Sequence, residues 1–235
     1  GTMTQIRAMV IPHESLAVSG QIAAGCWRLV KNHQHIKRVI FLMAERDVPF
    51  CGVVLPTCSQ FQTPLGMLRV DADCLAMLSR QSAYFVTSPY IDTSCAVKKA
   101  VQRGKNSDNK RPQVVHDPFN HGSALEMQLL FCSYYLPQAS IVPLMIGTLT
   151  QDDAHMIAMH LKECVDRHTL VVVSSSLIAQ VETSLEALIA SLPALGATQD
   201  SRYPLMVLLS LIHKKSWGTH YLMKHDASGI VGMVW

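Results

Sequence analysis

The sequence predicts a single α/β domain, residues 3–235, with a central, mostly parallel sheet flanked by helices. Three observations carry this. Short apolar runs alternate along the chain with segments of helical periodicity. The apolar runs are continuous, as in Leu170-Val171-Val172-Val173, which suits strands covered on both faces. Hydrophobic residues make up 49% of the 235 and charged ones 16%, enough apolar surface to cover such a sheet twice.

The elements follow in order. Ala8–Ile11 reads as the first strand. After a Ser19-Gly20 turn, Gln21–Val30 has apolar residues at helical spacing. Val39–Met43 and Gly52–Leu55 are the next strands. Asp71 is placed to cap a helix over Cys74–Arg80. Residues 102–113, rich in Lys, Asn, Gly and Ser, read as a flexible loop. Ala124–Tyr135 is a long amphipathic helix, and Ser140–Ile146 a strand. Thr150-Gln151-Asp152-Asp153 is a capping-type start for a helix over Gln151–Arg167. Leu170–Ser174 is a strand and Pro204–His213 an apolar helix. Thr219–Lys224 and Ile230–Trp235 form a hairpin about the turn Asp226-Ala227-Ser228-Gly229. Gly1-Thr2 ahead of Met3 reads as an expression scar. There is no internal repeat and no domain boundary.

Composition excludes several function classes. The formal charge is only +3. Basic residues gather only from Lys98-Lys99 to Lys110-Arg111, with no aromatic residues between them, so no nucleic-acid partner is expected. No apolar run is long enough to span a bilayer and there is no signal peptide, so no membrane partner is expected. Cysteines stand at Cys26, Cys51, Cys58, Cys74, Cys95, Cys132 and Cys164, an odd set without a C-x-x-C pair. They read as reduced, mostly buried thiols of a cytoplasmic protein. There is no P-loop, no G-x-G-x-x-G, no H-E-x-x-H and no zinc-finger spacing.

The chemically informative stretch is Pro12-His13-Glu14-Ser15-Leu16-Ala17-Val18-Ser19-Gly20. A histidine just past a strand end, ahead of a helix, is where α/β proteins place reactive groups. This stretch resembles the Pro-His-Ala-Gly-Tyr-x-x-Ser-Gly signature of the Memo family, protein B of the AmmeMemoRadiSam set. Further blocks follow in family order. Thr63-Pro64-Leu65-Gly66 with Val70-Asp71 is similar to T-P-L-G-x-x-x-V-D. Leu125-Glu126-Met127-Gln128-Leu129 is similar to part of E-H-S-x-E-V-Q-L-P-F. Ile141 to Gly147 resembles I-V-P-I-x-V-G, and Val173-Ser174-Ser175-Ser176 resembles V-S-S-D. Leu222 to Gly232 resembles the closing strands.

The resemblance implies a fold like that of class III extradiol (LigB-type) dioxygenases, in which two histidines and a carboxylate can hold ferrous iron. Memo-type proteins are associated with metal binding through histidines and a cysteine. This chain departs from that pattern at most chemical positions. Glu45, Arg46 and Asp47 stand within the family's G-P-S-H-H. The histidine of E-H-S falls at Ser123, the aspartate of S-S-D at Ser176, and the family cysteine at Asp200. His13 survives.

His13 is therefore the one candidate catalytic residue. Glu14, Glu45, Arg46, Asp47, His121, Ser123, Glu126, Ser175, Ser176 and Asp200 are expected to line the cleft, with Glu126 making a structural hydrogen bond there. No metal and no cofactor are expected, because one imidazole beside the permanent charge of Arg46 is a poor cation site. The expected function is binding of a small molecule, peptide or protein in the ancestral cleft. The alternative is a metal-dependent oxidoreductase of dioxygenase type, with iron held near His13 by a ligand set rebuilt from His121 and local carboxylates. A third reading is a scaffold acting through its surface.

Overall fold

A computed structural model describes residues 5–12, 16–44, 50–81, 83–87, 119, 123–175, 202–218, 221–224 and 231–234. Ten strands are described: β1 (Ala8–Ile11), β2 (Arg38–Ala44), β3 (Val53–Leu55), β4 (Gln60–Thr63), β5 (Gly66–Arg69), β6 (Phe85–Thr87), β7 (Ser140–Ile146), β8 (Thr169–Ser174), β9 (Tyr221–Lys224) and β10 (Val231–Val234). The described helices are α1 (Leu16–Arg28), α2 (Ala72–Ser79), α3 (Ser123–Tyr135), α4 (Gln151–Cys164) and α5 (Arg202–Lys215). Eight strands form one sheet in the order β6-β3-β7-β2-β8-β1-β10-β9, and β4 and β5 make a separate hairpin. β1, β8, β2 and β7 run parallel, as do β3 and β6. β3 is antiparallel to β7, and β10 to both β1 and β9.

The continuous apolar runs are explained by burial on both faces. Along each central strand, residues two apart share a face. Ala8, Val10, Ile40, Leu42, Val142, Leu144, Val171 and Val173 pack in one core with α2, α4 and α5. Met9, Ile11, Val39, Phe41, Met43, Ile141, Leu170 and Val172 pack in a second core with α1 and α3. Pro143, which has no N–H to donate, falls beyond the β3 pairing, which reaches only Met145 and Ile146.

Local chemistry sets the boundaries. Thr150 caps α4 by a reciprocal capping box with Asp153. That helix stops at Cys164 rather than Arg167, because Val165 is extended. Asp166 then accepts hydrogen bonds from the His168 N–H at 2.7 Å and the Thr169 hydroxyl at 2.9 Å, turning the chain into β8. Asp71 caps α2 by accepting from the Cys74 N–H at 3.0 Å. Its other carboxylate oxygen meets Arg38 Nε at 2.6 Å, and Arg38 Nη1 donates to the Cys164 carbonyl at 2.7 Å. One ion pair thus joins the start of β2, the cap of α2 and the end of α4.

Three expectations need correction. Ser19-Gly20 does not open α1 but lies inside it; Ser19 is fully buried, and a Cβ at Gly20 would meet only the Leu16 side chain. Packing of the helix against the sheet outweighs the modest helix cost of one glycine. β4, β5 and β6 lie in segments that carry no long apolar run, so periodicity does not reveal them. Cys51 is disulfide-bonded, with its partner outside the described residues; sequence spacing cannot detect a bridge between distant elements. Cys26, Cys74, Cys132 and Cys164 are buried thiols, as the sequence suggests, and Cys58 is an exposed one. Residues 102–113 lie outside the described residues.

Candidate functional site

Four parallel strands end side by side. Ile11 of β1 and Met43 of β2 both pair with Ser174 of β8, and Ala44 of β2 pairs with Ile146 of β7. α1 leaves β1 on one face of the sheet, whereas α5, the next described element after β8, packs on the other. Adjacent strands whose chains depart to opposite faces leave a crevice at their carboxyl ends, the usual ligand position in open α/β sheets.

The crevice floor is held by specific polar contacts. The Ser175 N–H donates to the Ile11 carbonyl at 3.0 Å, which extends the β8–β1 pairing beyond the strand. Gln128 of α3 is fully buried; its Nε2 donates to the Pro12 carbonyl at 3.2 Å, and its Oε1 accepts from Trp27 Nε1 at 2.9 Å. One amide therefore ties α1, α3 and the end of β1 together. Beyond β7, the Gly147 N–H donates to the Gly52 carbonyl at 2.9 Å and the Thr148 N–H to the Phe50 carbonyl at 2.8 Å. A Cβ at Gly147 would collide with the Phe50 carbonyl, which explains a glycine at the end of this strand.

Two groups at the crevice are not satisfied. The hydroxyls of Ser174 and Ser175 are buried and have no hydrogen-bond partner among the described residues. The sequence points to both as part of the Val173-Ser174-Ser175-Ser176 block. Glu126 lies exposed in the first turn of α3, and its carboxylate has no hydrogen-bond partner among the described residues. Gln128, two residues on, makes the buried hydrogen bonds of this segment. The signal for Gln128 was present: a lone amide among Leu125, Met127 and Leu129 on a core-facing segment. Trp27 carried none beyond its size. Ser123 is the first residue of α3. His13, Glu14, Glu45, Arg46, Asp47, His121, Ser176 and Asp200 lie outside the described residues.

The described groups at the crevice are two hydroxyls and an amide already engaged at both ends, and the histidine and carboxylates that a ferrous-iron set would draw on here lie outside the described residues. Among the described residues, no group of three or more His, Cys, Asp or Glu side chains is placed to hold a metal ion.

Several family-like blocks have structural work. Thr63 and Gly66 close the β4–β5 hairpin: the Thr63 hydroxyl donates to the Gly66 carbonyl at 2.9 Å and accepts from the Leu65 N–H at 3.1 Å, and Gly66 has φ +134°. Asp71 caps α2 and pairs with Arg38. Among the described residues, no helix is long and apolar enough to cross a membrane.

Comparison with known proteins agrees with this frame. The crystal structure of an uncharacterized protein from Escherichia coli K12 is similar to this chain with a TM-score of 0.53 at 10% sequence identity, over 97% of this chain and 99% of that one. At that identity the likeness is one of fold. No curated protein matches the sequence. The family described as Memo-like protein matches residues 1–183, well over half of the chain. The ordered blocks, the α/β architecture and this match lead to one conclusion: the chain belongs to the Memo-like protein family.

Proposed function

We propose that this chain is a binding protein that keeps the Memo-like cleft and has given up its metal. The cleft at the carboxyl ends of β1, β2, β7 and β8 takes a polar small molecule, or a peptide or protein segment. The observation that carries the reading is the pair of buried, unpartnered hydroxyls at Ser174 and Ser175. Leaving a buried hydroxyl unsatisfied costs roughly 1–3 kcal/mol. Such groups are kept where something outside the fold completes them, here a ligand's own donors and acceptors. The sequence supports the loss of metal. Ser123, Ser176 and Asp200 replace a histidine, an aspartate and a cysteine, and the guanidinium of Arg46 repels a divalent ion. On this reading the dioxygenase-like frame is a scaffold without dioxygenase chemistry.

The test is elemental analysis of protein purified without chelator or metal-affinity contact. The expected result is no near-stoichiometric iron, copper or zinc. Near-stoichiometric metal that disappears in His13→Ala would overturn the reading in favour of an oxidoreductase with a rebuilt ligand set. The binding arm is a thermal-shift screen of polar metabolites. A hit should lose most of its effect in Ser175→Ala, while that variant without ligand is as stable as the parent or more so. A free variant destabilised like any core mutant would show that the hydroxyl serves the fold.

A further inference from the structure

A second cavity lies at the opposite end of the sheet, away from the strand ends described above. Its open volume is about 410 Å³, and Gln5, Asn32, His33, His35, Arg167 and His168 line it. The wall is built by the chain entering β1, β2 and β8. The N–H groups of Lys37 and Arg38 both donate to the His168 carbonyl, at 2.8 and 3.1 Å, locking the β2 entry to the β8 entry. Gln5 Nε2 donates to the Arg167 carbonyl, adding the β1 entry.

The protonation of one imidazole is fixed by its neighbours. Arg167 Nε stands 2.9 Å from His168 Nε2, and a guanidinium can only donate. His168 Nε2 therefore accepts, its proton sits on Nδ1, and Nδ1 donates to the His35 carbonyl at 2.7 Å. Both nitrogens of His168 are used. His33 and His35 differ. Their rings stand 5.3 Å apart, His33 is only 7% exposed, and His33 Nδ1 and His35 Nε2 are buried with no hydrogen-bond partner.

The surrounding charge decides what could complete them. Arg7, Lys37 and Arg167 stand around the pocket, and among the described residues the one ion pair is Arg38–Asp71, which involves none of them. The carboxylate of Asp166, next to Arg167 in the chain, is turned into its own turn by the His168 N–H and the Thr169 hydroxyl. Two free imidazoles, with a third fully engaged, do not make a three-donor metal set, and three cations repel a divalent ion. An oxyanion gains on every count: it accepts from imidazole N–H groups and from the outer fork of Arg167, and it neutralises the local excess of positive charge.

We propose that this pocket binds a phosphate group, carried by a small phosphomonoester whose organic part occupies the rest of the cavity. Arg167 and the two unpartnered imidazoles hold the phosphate oxygens, and Arg7 and Lys37 supply the field. Burial first, then the positive charge of its neighbours, Arg7 and Lys37 among them, holds the His35 imidazole below its ordinary range. An anion reverses that charge term, so binding takes up a proton and weakens as pH rises.

The test is isothermal titration of the full chain with sodium phosphate against chloride at matched ionic strength, repeated with phenyl phosphate. Expected are saturable phosphate binding, tighter binding of phenyl phosphate, and buffer-dependent heat that reports proton uptake. Arg167→Gln, an exposed position, should weaken binding about tenfold without unfolding the chain. His35→Gln should abolish the proton uptake; should that variant fail to fold, Arg167→Gln and the buffer dependence decide alone. A phosphate response no larger than that of chloride, or an affinity unchanged in Arg167→Gln, overturns the proposal. Phenyl phosphate binding no tighter than inorganic phosphate overturns its phosphomonoester part. Ser175→Ala should leave phosphate binding untouched, which separates this pocket from the cleft at the other end of the sheet.

Discussion

Gln128 offers the sharpest test of how the crevice is held. Replacing it with Leu keeps most of the side-chain volume but removes both hydrogen bonds. Trp27 Nε1, 2.9 Å from the Gln128 oxygen, and the Pro12 carbonyl, 3.2 Å from its nitrogen, are then stranded in a buried region. Each orphaned group costs about 1–3 kcal/mol, so Gln128→Leu should lose roughly 2–6 kcal/mol. In a chain of this size that is a fall in Tm of roughly 5–15 °C. The assay is chemical denaturation followed by tryptophan fluorescence and circular dichroism, reading the midpoint at constant slope. Adding Trp27→Phe to Gln128→Leu removes the stranded indole N–H, so the double variant should be less destabilised than the sum of the singles. Glu126→Gln, exposed on the same helix, should stay within about 0.5 kcal/mol of the parent. A Gln128→Leu cost below about 0.5 kcal/mol would refute the claim that this amide organises the crevice.

Three further predictions rest on features away from the crevice. Burial opposes ionisation of Asp71, but the Cys74 N–H, Arg38 and Ser140 outweigh it and hold the carboxyl below its ordinary value of 3.8. Its stabilising contribution is therefore complete above that value and lost as pH falls through the lower, folded-state one. Asp71→Asn keeps a capping side chain, should cost about 1–2 kcal/mol at neutral pH, and should flatten the acid limb of a stability–pH curve; an unchanged acid limb would contradict the pairing. Gly147→Ala should cost about 1–3 kcal/mol in denaturant midpoint, since the Phe50 carbonyl must move; a neutral result would show that the Phe50–Gly52 segment yields freely. Brief alkylation of the native protein at neutral pH, read by peptide mass mapping, should label Cys58 first. Burial pushes the Cys26 and Cys132 thiols up to about 12, and the Cys164 thiol, 2.7 Å from Cys74, together with burial holds Cys74 protonated.

Most of the sheet was legible in the sequence, and the reason is physical. Ala8–Ile11 and Ser140–Ile146 have the bounds that hydropathy suggests, because strands buried on both faces must be apolar throughout. The caps at Asp71 and Thr150 were readable because they satisfy a local need within three residues. β4 and β5 were not, since Gln60-Phe61-Gln62-Thr63 is half exposed and its register depends on a hydroxyl–carbonyl bond within the turn. The candidate site was legible as a place more than as a set of groups. The sequence pointed to the end of β1 and to Ser174–Ser176, and Ile11 and Ser174 do pair. It favoured the charged Glu126 over the neutral Gln128 beside it, because charge is conspicuous in a sequence whereas burial is not. The histidine pocket was invisible: His168 is far from His33 and His35 in the chain and meets them only because β2 and β8 are neighbours.

The position of β1 has a consequence in time. It is the first of the described strands, yet both of its edges wait for late partners, β8 on one side and β10 on the other. About 160 residues separate β1 from β8, which at common rates of synthesis is roughly 10–30 s. Throughout that interval a fully apolar strand has no sheet to join. Even a nascent chain complete through residue 183 has one side of β1 open, because β10 has yet to be made. A fold ordered in this way is slow to assemble, because its decisive contacts join its most distant parts.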